Sequence, residues 1–178
     1  MIKAFFLALS LAVLSLCAHA QKVEQGPSGF QRLYSTGVSV GNGADLTEDT
    51  LATYTLPAGT LANAGDTIDI MASGSFGATT DSKAIRLRFG GGNLGGPAGA
   101  AATLTKWSFH ARIVKTGAST QSYDLLGSTV NGNTGGTTSG VAAVTDTAGI
   151  VILIGGINTT NSVAGSVTIQ TLTIDLNR

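Results

Sequence analysis

The feature that most constrains this chain is a two-residue alternation of apolar and polar side chains. It appears in the runs Lys83-Ala-Ile-Arg-Leu-Arg-Phe89 and Trp107-Ser-Phe-His-Ala-Arg-Ile-Val114. A period of two belongs to a β-strand, whose successive side chains point to opposite sheet faces; a helix would scatter the same residues around its axis. In the first run Ile85, Leu87 and Phe89 share one face and Arg86 and Arg88 the other. In the second, Trp107, Phe109, Ala111 and Ile113 oppose Ser108, His110 and Arg112. Both runs are therefore expected as central strands of a sandwich, with one side in the core and one in solvent.

The remaining chain follows the same rule. In Thr67–Phe76 the residues Ile68, Ile70, Ala72, Gly74 and Phe76 are expected to face the core. Short strands are expected near Val38 and Val40, over Leu51–Leu56 up to Pro57, over Gln121–Leu126, and over Val141–Val144. The run Ile150–Ile157 is apolar on both faces, which places it in the middle of the protein or against a partner subunit. In Ser166–Leu176 the apolar set changes phase between Ile169 and Leu172, so a β-bulge at Gln170–Thr171 is predicted. Gly41-Asn-Gly43 reads as a turn, Gly90–Gly92 as the end of the Lys83–Phe89 strand and the start of a long, flexible glycine-rich loop, and Gly127–Gly140 as a long loop within which Asn131-Gly132 closes a tight turn. Runs of strong helix formers are absent beyond the first residues. The expectation is an all-β, antiparallel β-sandwich of eight or nine strands, without internal repeat or second domain.

Met1 to Ala20 has a lysine at Lys3, an apolar run from Ala4 to Cys17 and the small-residue end Ala18-His19-Ala20. This is the pattern of a secretory signal peptide cleaved after Ala20. Lipidation at Cys17 is the alternative, disfavoured by the bulky Leu16. Residues 21–37 read as a polar N-terminal arm and 38–178 as the sandwich domain. A secreted or cell-surface protein is expected, with no transmembrane segment in the mature chain. The mature chain has no cysteine, which excludes disulfides, thiolate metal sites and a cysteine nucleophile. Ten basic and ten acidic residues balance, so no basic surface for nucleic acid is expected.

Catalytic chemistry finds little support. His110 is the only histidine after the leader, no Gly-x-Ser-x-Gly elbow occurs, and Asp66, Asp69, Asp124 and Asp146 fall one to a segment. No catalytic residue, metal ligand set or cofactor is expected. The cluster Asp45, Glu48 and Asp49 lacks the spacing of a calcium loop and reads as a solvated turn. The glycines at 90–99 lead into a strand rather than a helix, unlike a phosphate loop. The one constellation left is cationic. If the two alternating strands are neighbours, Arg86, Arg88, His110 and Arg112 line one polar face able to bind a carboxylate, sulfate or acidic glycan. The competing reading is a solvated face, or one paired with Asp69 or Asp124. Tyr34, Tyr54 and Tyr123 are the candidates for sugar stacking.

Together, Tyr54-Thr-Leu-Pro57-Ala-Gly-Thr-Leu61, Gly65-Asp66, Lys83-x-Ile-Arg-Leu-x-Phe-Gly-Gly91, Trp107 and Lys115-Thr-Gly-Ala-Ser-Thr-Gln121 resemble a jelly-roll domain of bacteriophage tail, fibre and other virion surface proteins. The resemblance spans about Val38 to Leu176. It implies an eight-stranded jelly roll, often trimeric, and no catalytic residue. Virion proteins assembled in the cytoplasm need no leader, so Met1–Ala20 favours a secreted or surface relative. The expected function is a non-enzymatic structural or adhesive module that self-associates, with a trimer favoured. The alternatives are a carbohydrate-binding module meeting a surface glycan or acidic polymer, and a tail- or fibre-like virion structural protein.

Overall fold

A computed structural model describes residues 29–101, 105–129, 137–160 and 163–178. The leader with its cleavage site and the Asn131-Gly132 turn lie outside the described residues. Among the described residues the chain forms twelve strands and no helix. They are β1 (Gln31–Thr36), β2 (Val40–Gly41), β3 (Asp49–Leu56), β4 (Thr67–Phe76), β5 (Thr79–Phe89), β6 (Gly92–Gly95), β7 (Ala98–Ala101), β8 (Thr105–Gly117), β9 (Thr120–Thr129), β10 (Thr137–Ala142), β11 (Ile150–Asn158) and β12 (Val167–Asn177).

The strands build two antiparallel sheets. The larger has seven strands in the order β1-β12-β4-β8-β9-β10, with β2 also on β12; the smaller has five in the order β3-β11-β5-β6, with β7 also on β5. Successive long strands β3, β4 and β5 alternate between sheets, as do β11 and β12. That winding sets β1-β12-β4-β8 against β3-β11-β5-β6, the strand order of a jelly roll. The hairpin β9-β10 widens the larger sheet beyond β8.

The count exceeds the expected eight or nine because two short strands, β6 and β7, and part of the polar arm, β1, join the sheets. Phe89 pairs with Gly92 across a two-residue turn in which Gly90 and Gly91 have φ of 58° and 88°, so the glycines that end β5 also open β6. Both positions lie in the left-handed region, which two glycines enter without the penalty of a side chain. Residues 31–36 of the expected arm form β1 on the edge of β12. The predicted loop 127–140 is strand at both described ends, in β9 and β10.

The alternation seen in the sequence sorts side chains into one core. Ile85, Leu87 and Phe89 from β5 are buried with Trp107, Phe109, Ala111 and Ile113 from β8, and the core-facing set of β4 joins them. The bulge falls where the phase change predicts: Ile169 pairs with Gly74 and Thr171 with Ser73, leaving Gln170 extra. Val167, Ile169, Leu172, Ile174 and Leu176 are consequently all buried. In β11, which is central in its sheet, Ile150, Ile152 and Ile154 point inward while Val151 is exposed on the outer face. Full burial of each such side chain is worth about 1.5–3 kcal/mol.

Candidate functional site

The two alternating strands are not neighbours. Strand β5 lies within the smaller sheet and β8 within the larger, so their outward residues occupy opposite surfaces of the sandwich. The structure therefore does not bring Arg86 and Arg88 together with His110 and Arg112. Alternation within a strand fixes which residues share a face, but the partner strand is chosen by the winding of the whole chain.

On the outer face of the smaller sheet, Arg86 and Arg88 close on Glu48. Arg88 donates from Nε and Nη2 to the two carboxylate oxygens at 2.7 Å each, and Arg86 Nη1 donates at 3.0 Å. Glu48 reaches this position over Gly155 of β11, where a Cβ would stand 2.3 Å from Glu48 Oε1. The Arg88 guanidinium first, and Arg86 after it, holds the Glu48 carboxyl below the usual carboxylate range against the opposing effect of burial. With Glu48 filling this fork, the smaller sheet offers no open pair of guanidinium groups. The rest of the acidic turn is also committed: Asp45 accepts from the Thr47 amide and hydroxyl, and Asp49 accepts from the Gly43 amide. No cluster of three metal-ligating side chains occurs among the described residues.

The outer face of the larger sheet is different. Antiparallel register aligns a row of charged residues across it: Arg32 opposite Asp175, Asp175 opposite Asp69, Asp69 opposite Arg112, and Arg112 opposite Asp124. Asp69 is the hub, with one carboxylate oxygen 2.9 Å from His110 Nε2 and 3.9 Å from Arg112 Nε, and the other accepting from Asn177 Nδ2 at 2.7 Å. The adjacent row sets Thr173 opposite Met71, Met71 opposite His110, and His110 opposite Leu126. Met71 and Leu126 are both exposed there.

Two shallow depressions of about 410 and 420 Å³ meet along His110 and Leu126. One runs over Arg112, Asp124 and the hydroxyls of Thr137 and Ser139; the other over Met71, Ser73, Ser108 and Thr171 toward Arg32. The joined groove is lined by hydroxyls, the Asp124 carboxylate, the guanidinium groups of Arg32 and Arg112 and the His110 imidazole, with short apolar stretches between. Its charges nearly balance, because Asp124 lines it and Arg32 and Arg112 are paired with Asp175 and Asp69 beside it. Of the four residues singled out in the sequence, His110 and Arg112 belong to this groove. The alternation in Thr67–Phe76 already placed Asp69 and Met71 on its polar side, and that was the signal pointing to Met71 in the lining and to Asp69 behind it. Of the tyrosines, Tyr34 and Tyr54 pack on each other with centroids 5.2 Å apart and against the core, and Tyr123 also packs on the core.

No family model matches the sequence, and no curated protein matches it. Two solved structures are distantly similar in shape. One is a protein of unknown function, SO2946, from Shewanella oneidensis MR-1, at 11% identity and a TM-score of 0.38, covering 84% of this chain and 79% of the other. The second is the CBM2 module of the evolved Dit of Lactobacillus casei BL23 phage J-1, also at 11% identity and a TM-score of 0.38, covering 84% of this chain and 97% of the module. The strand order itself, rather than these distant likenesses, carries the assignment of the chain as an antiparallel jelly-roll β-sandwich.

Proposed function

We propose that the protein is an exported, non-enzymatic binding module that holds a neutral, hydroxyl-rich polymer, a polysaccharide, in the groove on the outer face of its larger sheet. The observation that carries this reading is the groove centred on His110, where carboxylate, guanidinium, imidazole and hydroxyl groups converge on one open surface and Asp69 holds His110 and Arg112 from beside it. Carboxylate and guanidinium groups bind paired hydroxyls through forked hydrogen bonds, and their mutual pairing fixes them before the ligand arrives, which reduces the ordering cost of binding. The strand spacing of about 4.8 Å repeats these groups on the scale of a sugar ring. Near-balance of charge favours a neutral ligand over an acidic one. Met71 and Leu126 supply apolar contact for the C–H faces of sugars. Export rests on the leader at Met1–Ala20.

Affinity electrophoresis through gels containing neutral polysaccharides, followed by a glycan array, tests this reading. Retardation by at least one neutral glycan that Asp69→Ala abolishes is the expected result. A folded wild-type protein retained by none would overturn it.

Self-association is a second reading, favoured by Leu126 and Val141, which are 58% and 73% exposed near the open edge formed by β10. An exposed edge strand bearing apolar side chains pairs readily with another copy. Light scattering on the mature protein is expected to give an assembly, with a trimer favoured, that Val141→Lys dissociates. A monomer at high concentration would remove this reading.

A further inference from the structure

One end of the sandwich buries a group of polar side chains that the groove does not use. Lys83 on β5 and Asn158 on β11 are both wholly buried, and Asp81, on the same inward face of β5, is 4% exposed. Lys83 and Asn158 are direct register partners on adjacent antiparallel strands. Such partners point to the same face and hold their Cβ atoms about 4.5–5.5 Å apart, so the four-carbon arm of the lysine spans the gap to the carboxamide carbon. The Lys83 amine donates to the carbonyls of Thr79 at 2.7 Å and Asp81 at 2.9 Å. The Asn158 amide donates to Ser166 Oγ at 2.9 Å, while its carbonyl oxygen Oδ1 is buried without a partner. A buried carboxamide oxygen left unpaired is destabilising, so its retention beside a buried amine calls for an explanation.

We propose that Lys83 and Asn158 are the two halves of an intramolecular isopeptide cross-link joining β5 to β11, with Asp81 as the carboxyl group that relays the proton. After a rotation of its side chain away from the two carbonyls, the neutral Lys83 amine attacks Asn158 Cγ. The Nζ–Cγ bond forms, Asp81 takes a proton from Nζ and delivers it to Nδ2, and the Cγ–Nδ2 bond breaks. A primary amine and a primary carboxamide become one secondary amide and one ammonia, with the carboxylate regenerated and no oxidant or other reactant consumed. Burial pushes the Lys83 amine below the usual lysine range, against the opposing charge of Asp81, and so favours the uncharged, nucleophilic form relative to a solvated lysine. Burying the amine and the carboxamide on register partners, with the carboxyl group two residues along the same inward face of β5, replaces an encounter in water by an intramolecular step. In a mature chain without cysteine, the cross-link closes the long loop from Lys83 to Asn158 as a disulfide would.

Tryptic peptide mapping of the wild-type mature protein by tandem mass spectrometry tests this directly. Trypsin cleaves after Lys83 only when the amine is free. The expected result is a branched peptide joining the Lys83 segment to the Asn158 segment, lighter than the sum of its parts by one ammonia, with no cleavage at Lys83. Lys83→Ala and Asn158→Ala are expected to lose the branched peptide, and Asp81→Asn to reduce its yield at least tenfold while leaving both partner residues present. Quantitative cleavage after Lys83 in the wild type overturns the cross-link, as does an ammonia loss confined to cyclisation of Gln21. A full yield in Asp81→Asn overturns the role of Asp81. The wild-type map decides the main point even if a variant fails to fold.

Discussion

Asp69 and Arg112 stand directly opposite each other on β4 and β8, and the same Asp69 carboxylate also receives His110 and Asn177. One acid thus organises the outer face of the larger sheet. On the opposite surface, Glu48 organises Arg86 and Arg88 in the same way. The two arrangements differ in what they leave open. Glu48 fills the fork of its arginines, whereas the groups around Asp69 border an unfilled groove.

The two faces can be separated by mutation. Arg112→Ala or His110→Ala is expected to weaken retention by a neutral polysaccharide at least fivefold. Arg86→Ala with Arg88→Ala should leave retention unchanged once the fold is confirmed by circular dichroism. Affinity electrophoresis of the variants side by side checks this, and loss of retention in the Arg86/Arg88 variant would move the site to the smaller sheet.

Stability should depend on the charge of Glu48. Its pKa is lower folded than unfolded, so the unfolded chain binds more protons through the acid range and stability rises with pH there. The contribution is fully present above the unfolded carboxylate pKa and is lost as pH falls through the lower, folded one. Because both arginines are partly exposed, about 1 kcal/mol is expected from this cluster. Urea denaturation of the wild type and Glu48→Gln should differ by that amount at neutral pH and converge in acid.

Gly74 is closed to every side chain. A Cβ there would stand 1.9 Å from the Thr168 carbonyl oxygen and 2.5 Å from Trp107 Cζ2, in the stretch where the β12 bulge presses on β4. Gly74→Ala is expected to destabilise the protein by about 3 kcal/mol or more and to alter the fluorescence of Trp107, the only tryptophan. Thermal unfolding followed by tryptophan emission measures both.

Arg32 ties the first strand to the last. Its guanidinium Nε donates to Asp175 at 2.8 Å, and Asp175 is only 1% exposed, so removing the arginine leaves a buried carboxylate without its countercharge. Because the arginine is half exposed and its loss admits water to the carboxylate, Arg32→Ala is expected to cost about 1–2 kcal/mol, measured by urea unfolding. A negligible change would show that β1 contributes little to the fold.

The sequence by itself determined the long core strands, the face that each turns to the core, and the bulge in β12, because side-chain alternation is a property of a single extended segment; β1, β6 and β7, which lack that alternation, it did not mark. The phase change between Ile169 and Leu172 needed only one extra residue to reconcile, and Gln170 supplies it. The sequence also marked Asp69, His110 and Arg112 as outward-facing. Which outward residues meet was decided only by the tertiary structure. Arg88 and Arg112 carry the same local signature, yet the winding of the chain sends one to each surface and delivers a different acid to each, Glu48 from the turn before β3 and Asp69 from β4. The pairing of Lys83 with Asn158 was hidden for the same reason: register between strands distant in sequence is set by the collective burial of both sheets, and no local pattern records it.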